Sequence, residues 1–253
     1  MDAVHRLLRG VFAVSKIRVQ YTKEAWVKYI SHLDLLRTFH RAVRRAGIPI
    51  KYSQGFNPHP LMSFGMPLPV ATTSECEYLE MDLTEKIPPQ DILEQLNIVL
   101  PQGLGVRNVV YLSEKKYPKL SEVNMAAYDV HIELIQTVKD LLKDIEKMML
   151  MTAITMEKKG KKGSKKVMKQ VNIRPFIHQV EVVAESEKSV QLKMVLSSGS
   201  EGNLKPALLL EAMEKHIGGI EIEDSHIHRK ALWIERGDEK FDVMEPCREH
   251  FKE

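Results

Sequence analysis

Cysteine is scarce in this chain of 253 residues, which contains only Cys76 and Cys247. The two lie far apart, and neither belongs to a spacing that is typical of metal ligands. Their scarcity excludes a disulfide framework, a zinc ribbon and an iron–sulfur cluster as organising features. We therefore predict a protein of the reducing cytoplasm that holds no metal and no cofactor.

Long apolar runs are also lacking. No run approaches the roughly 20 residues that a membrane-spanning helix needs, so no membrane association is expected. The apolar patch "GVFAV" in residues 1–15 is too short for the core of a signal peptide, and no small-residue cleavage pattern follows it. Residues 1–15 are therefore predicted to be an N-terminal extension.

The chain has no large excess of charge of one sign. Lysine and arginine number 37 against 34 aspartates and glutamates, which gives a net charge of +3. A polyanion would therefore have to be attracted by local clusters of basic residues rather than by the overall charge.

Hydrophobic periodicity predicts two similar successions of strands and helices. Residues from Lys16 to Glu24 alternate apolar and polar side chains, which is typical of a half-buried strand. Ser31 then caps a helix that ends at Gly47. Later segments complete the order β-α-β-β-α-β, the ferredoxin-like arrangement, and the same order recurs in the second half of the chain.

We therefore predict an α+β fold of two tandem ferredoxin-like domains. The predicted segments are the N-terminal extension (residues 1–15), the first domain (16–115), a polar linker (116–126), the second domain (127–236) and a C-terminal tail (237–253).

The first predicted helix has a basic face. At 100° per residue, its apolar residues fall on one side, and Arg37, Arg41 and Arg44 fall within about 60° of each other on the opposite side. The apolar side is expected to pack on the sheet, and the three guanidinium groups are expected to hold phosphates.

A proline-rich segment from Tyr52 to Val70 follows this helix. Proline lacks a backbone donor and glycine permits positive φ, so the segment cannot lie along the middle of a sheet. One interpretation is a stiff connection whose Phe56 and Phe64, together with Met66, plug the core. The other is a binding rim of polar residues that could contact a base or phosphate. These residues are Tyr52, Ser53, Gln54, Asn57 and His59.

A lysine cluster lies in the second half of the chain. Such a run cannot form a core, and it is either a solvated loop or a footprint for a phosphate backbone. Its members are Lys158, Lys159, Lys161, Lys162, Lys165, Lys166 and Lys169.

A weaker anion site is predicted where a flexible turn enters a helix at Pro206. Gly202, Asn203 and Lys205 precede this helix start, where free N–H groups favour an anion. A plain strand-to-helix connection explains the same residues.

Signs of catalysis are sparse. His32, Asp34 and His59 could form an acid–base site, although no nucleophile is evident beside them. His226 and His228 lie on one strand face as two metal ligands would, but the sequence offers no third ligand, which favours a surface strand.

The blocks "SHLDLLR" and "SQGFNPHP" resemble a family of radical-SAM-associated proteins of unknown function, and the resemblance extends from about Lys16 to Trp233. "VNIRPFI" and "GSEGNLKP" also match. Members of this family occur alone or fused behind a radical-SAM module, often one with a cobalamin-binding part. They are often encoded beside ribonuclease G and ribosomal protein genes. The residues that match its signature blocks are Ser31, His32, Asp34, Arg37, Arg41, Ser53, Gln54, Gly55, Phe56, Asn57, Pro58, His59 and Pro60.

The resemblance implies a radical-SAM protein as the partner. No CxxxCxxC occurs here, so such an enzyme would be a separate polypeptide. Together with the basic clusters, this predicts a non-catalytic accessory protein that binds RNA rather than DNA and acts in RNA modification or ribosome-related metabolism. Two alternatives are an enzyme that acts on a small substrate at His32, Asp34 and His59, and a protein adaptor without RNA.

Overall fold

The computed structural model describes residues 15–112, 115–137, 140–162 and 165–246, while the side chains of residues 158–162 and 165–167 lie outside the description. The chain divides into two compact units. Residues 15–120 and 241–246 form the first unit, and residues 121–240 form the second. Nearly all of the predicted extension and the end of the predicted tail lie outside the described residues. The domain boundaries drawn from the sequence stay predictions.

The first unit is a four-stranded antiparallel sheet with two α-helices. Its strands lie in the order β4-β1-β3-β2. Its elements are β1 (Ser15–Lys23), a 3-10 turn (Ala25–Tyr29), α1 (His32–Arg45), β2 (Met62–Phe64), β3 (Thr72–Leu83), α2 (Pro89–Val99) and β4 (Leu104–Tyr111). Apolar side chains of β1, such as Ile17 and Val19, pack with Phe39 of α1 and Leu96 of α2 in one core.

The second unit is a four-stranded antiparallel sheet in the order β10-β5-β9-β8, with a separate two-stranded hairpin, β6-β7. Its elements are β5 (Met125–Leu134), α3 (Leu141–Met149), β6 (Thr155–Lys162), β7 (Lys165–Asn172), β8 (Ile177–Glu185), β9 (Ser189–Ser197), α4 (Pro206–His216) and β10 (Ile222–Arg236). A final strand, β11 (Glu239–Asp242), follows a turn at Gly237.

The predicted α+β class is confirmed. The described residues contain four α-helices, and their strand pairs are mostly antiparallel. None of these helices is long and apolar enough to cross a bilayer.

Strand β1 differs from its prediction as a half-buried strand, because part of its polar face is buried as well. Arg18 is only 2% exposed, and Thr22 and Lys23 are also buried. The alternation of apolar and polar residues is present, but it does not reveal that other chain segments cover the polar face.

Arg18 is buried with partners for its whole guanidinium group. Its Nη2 donates to Glu80 Oε1 at 2.7 Å and to the carbonyl of Pro118 at 2.8 Å. Its Nε donates to the same Glu80 oxygen at 3.2 Å, and its Nη1 donates to the carbonyl of Val243. A buried charge needs such partners, because desolvation would otherwise cost more free energy than packing returns. Arg18 therefore joins β1 to three segments that are distant in sequence.

Replacing Arg18 by alanine should lower the free energy of unfolding by about 3–5 kcal/mol, because the largely buried Glu80 would lose its main counter-charge. Urea denaturation followed by circular dichroism measures this change. Lys16→Ala is the matched control: its Nζ lies 3.8 Å from the same Glu80, but its side chain is half exposed, so the loss should be at most about 1 kcal/mol. Similar small losses in both variants would contradict the structural role of Arg18.

Candidate nucleic-acid interface

Helix α1 presents the predicted arginines to solvent. The Ser31 hydroxyl caps its first turn by accepting from the N–H of Asp34 at 3.2 Å. Leu35, Phe39 and the alanine and valine that follow at 42 and 43 are buried against the sheet. Arg37, Arg41 and Arg44 are all exposed on the opposite side, as the periodicity predicts.

These arginines form at most weak ion pairs within the part of the protein that the structure describes. Arg37 Nη1 lies 3.4 Å from Asp34 Oδ1, and both side chains are more than half exposed, so solvent screens this ion pair and it is weak. Within the ranges that the structure describes, neither Arg41 nor Arg44 forms an ion pair. The face can therefore accept an external anion without first breaking a strong internal bond.

The loop after α1 is closed at its base and exposed at its tip. Ser53 N–H donates to the carbonyl of His59 at 2.9 Å, and His59 N–H donates to Ser53 Oγ at 3.1 Å. The same Ser53 hydroxyl lies 2.9 Å from Nδ1 of the His59 ring. Gly55 has a φ of +123°, a backbone conformation that glycine adopts readily. These hydrogen bonds close the base of the loop, and residues 54–58 at its tip are exposed to solvent.

The aromatic residues of the proline-rich segment divide between its two interpretations. Phe64 packs edge-on against Phe39 and Tyr21 with ring centroids 5.7 and 6.2 Å apart, as expected for a core plug. Phe56 is fully exposed at the loop tip, so the expectation that it plugs the core is wrong. Gln54, Asn57 and His59 are likewise exposed.

His40 of α1 lies near the loop residue His59, and sequence reasoning missed it. Partial burial lowers the pKa of His40 below its ordinary value, and the positive charges of His59 and Arg44 lower it further. His40, Arg44 and His59 thus lie close enough to interact. Helical spacing could have indicated that His40 lies beside the arginines, because it is three positions after Arg37 and four before Arg44. We call Arg37, His40, Arg41, Arg44, Gln54, Asn57 and His59 the helix–loop surface.

The three catalytic candidates have separate local partners. The Ser31 hydroxyl donates to Asp34 Oδ2 at 2.7 Å, the His32 ring lies edge-on to Phe64, and His59 bonds to Ser53. No hydrogen bond joins the three candidates, all of which are described. The Ser31 hydrogen bond lowers the pKa of Asp34, as do the charges of Arg37 and Arg41. A lowered pKa disfavours a general acid at neutral pH.

The lysine cluster lies on the hairpin of the second unit. The backbones of its first and last members pair as Lys158↔Lys169, and the register continues to Lys162↔Lys165. The side chains of Lys158, Lys159, Lys161, Lys162, Lys165 and Lys166 lie outside the described residues.

The turn before α4 has a compact backbone. Gly199 N–H donates to the carbonyl of Gly202 at 2.8 Å, and Leu204 N–H donates to that of Ser197 at 3.0 Å. Two N–H groups of this turn are therefore used internally. Asn203 and Lys205 are exposed, and the anion site stays a prediction. Gly202 also lines a cavity of about 540 Å³ with Phe176, His178, Ser197 and Arg236.

His226 and His228 lie on β10 opposite His131 and Asp129 of β5. In the part of the chain that the structure describes, no group of three or more histidine, cysteine, aspartate or glutamate side chains is arranged to hold a metal ion. The favoured interpretation of a surface strand fits this placement.

Comparison with protein families assigns the chain to a family but assigns it no chemistry. Residues 16–206 match the family described as "Uncharacterized protein conserved in bacteria (DUF2344)". Since the match covers well over half of the chain, the protein belongs to this family. No curated protein matches the chain.

Two solved structures show distant similarity. A chain of the "Crystal Structure of a Cbf5-Nop10-Gar1 Complex" is 9% identical with a TM-score of 0.44, and the match covers 87% of this chain and 49% of that one. The present chain therefore spans about half the length of that relative. The "Dye-decolorizing protein from V. cholerae" is also 9% identical, with a TM-score of 0.19 and coverage of 85% and 91%. At these scores, neither similarity defines the fold or the function.

Replacing Arg44 by alanine should raise the pKa of His40, because the change removes a positive charge that disfavours the protonated ring. An NMR titration of the histidine ring resonances measures the shift. The rise should be partial, since burial is the larger cause. Arg107→Ala is the control, because Arg107 is not among the charges that act on His40. A His40 pKa that is the same in both variants would contradict the described proximity.

Proposed function

We propose that this protein is a non-catalytic accessory protein that binds RNA through the helix–loop surface. The observation that carries the proposal is the exposed pair Arg41 and Arg44, which have no ion pair within the described residues and stand beside a polar loop. Arginine binds phosphate bidentately and remains charged at any physiological pH, which makes it a suitable phosphate ligand.

The loop supplies the chemistry that a specific contact needs. Gln54 and Asn57 offer amide donors and acceptors at the exposed tip, and His59 at the base of the loop offers a ring nitrogen. Specific recognition of RNA relies on hydrogen bonds to splayed bases together with contacts to phosphate and ribose. In this proposal, the arginines hold the backbone and the loop contacts the bases.

The lysine hairpin is proposed as a second, non-specific contact. Seven lysines between Lys158 and Lys169 could each bind a phosphate, and such contacts release counterions and weaken steeply with salt. The hairpin would add affinity, whereas specificity would come from the loop.

The ferredoxin-like assignment of both units also belongs to the proposal. The order β4-β1-β3-β2 in the first unit supports it, as does the order β10-β5-β9-β8 in the second. In the first unit, α1 lies between β1 and β2, and α2 lies between β3 and β4. In the second unit, α3 lies between β5 and β8, and α4 lies between β9 and β10. Both units thus have the split β-α-β arrangement.

A separate radical-SAM enzyme is proposed as the protein partner. The support is the resemblance of the "SHLDLLR" and "SQGFNPHP" blocks, together with the absence of a CxxxCxxC motif from the whole sequence. Purification of the tagged protein from its native cell, with and without nuclease, tests this part. A radical-SAM protein retained after nuclease treatment supports direct partnership. Loss of both RNA and protein after nuclease would indicate that RNA bridges them.

Combined replacement of Arg41 and Arg44 by alanine should weaken binding of a short single-stranded RNA oligonucleotide of mixed sequence. It should also reduce the slope of log affinity against log salt by about one for each phosphate that the variant no longer binds. Fluorescence anisotropy between about 50 and 200 mM salt measures both quantities.

The matched control replaces Lys143 and Lys147 of α3, which removes the same charge but leaves the helix–loop surface intact. These lysines are paired with Asp140 and Asp144 at 2.6 and 2.8 Å. The control should retain most of the affinity. If wild-type affinity does not respond to salt, or if both double variants lose affinity equally, the proposed interface is wrong.

The enzyme alternative has a different signature. His32→Ala and His59→Ala would abolish turnover while ligand affinity persists if the residues were catalytic, whereas a binding surface would lose its ligand. The adaptor alternative predicts that a loop variant such as His59→Ala loses the protein partner and that no RNA copurifies with the wild type.

A further inference from the structure

The 3-10 turn before α1 exposes two large aromatic rings. Trp26 is 83% exposed and Tyr29 is 53% exposed. Their ring centroids lie 6.3 Å apart, with 34° between the ring planes. Tryptophan is usually among the most buried side chains on average, so a pair of this kind on the surface needs an explanation. We call residues Ala25–Tyr29 the aromatic turn.

The aromatic turn is held by a buried lysine. Lys23 is 2% exposed, and its Nζ donates to the carbonyls of Ile30 at 3.2 Å and Lys28 at 3.5 Å. Burial lowers the pKa of Lys23, and the negative charge of Glu77 opposes that shift. A buried ammonium group is costly unless its donors are used, and here they bond the end of the aromatic turn.

A close backbone contact holds the other end of the turn. Glu24 N–H donates to the carbonyl of Gly103 at 2.7 Å, and Gly103 has a φ of +94°. A Cβ at this glycine would lie 2.6 Å from the Glu24 carbonyl oxygen and 2.9 Å from Val27 Cγ2, so only glycine fits. The exposed rings are therefore presented by a fixed turn.

The aromatic turn lies just before α1, the helix that carries the arginines of the helix–loop surface. His32 is three positions after Tyr29, so their Cα atoms lie at most about 11 Å apart. Leu33 is exposed and lies one helical turn before Arg37 on the same side of α1. Along the helix axis, Arg37 stands a further rise of about 7.5 Å beyond His32.

A positive charge lies beside the Tyr29 ring. Lys28 Nζ lies 5.1 Å from the Tyr29 ring centroid, and the arginines of α1 follow in sequence. Aromatic residues are enriched in the cores of protein–protein interfaces too, but lysine is depleted there. Aromatic rings next to cations such as Lys28 are typical of surfaces that bind single-stranded nucleic acid. The charge pattern thus favours RNA over a protein as the occupant.

Resting on the proposed RNA binding, we infer that the aromatic turn is a stacking platform for unpaired bases of single-stranded RNA. A base stacks on the exposed indole of Trp26, and Tyr29 contacts the same or the next base. The sugar–phosphate chain then runs towards Arg37, Arg41 and Arg44. The ligand class is therefore single-stranded rather than duplex RNA.

The chain provides its own probe for this inference. It contains two tryptophans, and the other, Trp233, is buried beside Lys240. In a Trp233→Phe background, the emission of Trp26 alone reports on the platform. Titration with a short single-stranded RNA oligonucleotide should quench this emission, because the base contacts the indole directly.

Trp26→Ala should weaken binding of the same oligonucleotide on the order of 5- to 150-fold, which corresponds to the stacking of one base. Trp26→Phe should retain much of the affinity, since an aromatic face remains. The matched control is Ile98→Ala, which removes another exposed apolar side chain, 80% exposed, from α2 of the same unit. That variant should bind as the wild type does. Circular dichroism verifies that each variant is folded.

The outcomes separate this inference from the proposed function. The platform is wrong if Trp26→Ala binds the RNA as tightly as the wild type, if RNA does not quench the emission of Trp26, and if a duplex of the same sequence binds with equal affinity. That result would not contradict binding at the arginines. Failure of the wild type to bind RNA overturns both. If Trp26→Ala loses a copurifying protein while its RNA affinity is unchanged, the turn is a protein interface and the inference is wrong.

Discussion

The first unit depends on the hydrogen bonds and the ion pair of the Arg18 guanidinium group. This group lies on an inner strand of its sheet and is almost inaccessible to solvent, and its donors bond β3, the segment at Pro118 and the segment at Val243. These contacts cover part of the polar side of β1, and the helices cover its apolar side, so Arg18 is enclosed although Lys16 on the same side stays half exposed. The outer side of α1, the turn before it and the tip of the loop after it remain exposed to solvent.

Local patterns in the sequence were sufficient for α1 and for the general fold class. The cap at Ser31, the apolar stripe and the basic residues opposite it all lie within one helix, so their periodicity alone predicts the exposed arginines. The alternation of strands and helices predicts the α+β class in the same way. The sequence left two interpretations of the proline-rich segment. Phe64 packs as the core-plug interpretation expects and Phe56 does not, while the binding rim stays a prediction.

Other features were beyond sequence reasoning because they depend on distant partners. Arg18 bonds residues that are 62, 100 and 225 positions away, and no periodicity in a single strand records such contacts. Lys23 resembles an ordinary surface lysine in sequence, yet it is enclosed beneath the aromatic turn. His40 was missed because its significance comes from the loop closed by Ser53 and His59, which only the folded chain brings near.

The first unit is discontinuous in the chain, since its residues 15–120 are completed by residues 241–246. A ribosome makes the chain from its N-terminus, so the carbonyl of Val243 emerges only after the whole second unit has been translated. Until then the charge of Arg18 lacks one of its ligands, and the second unit is free to fold first. Final closure of the N-terminal unit is thus a late event in synthesis.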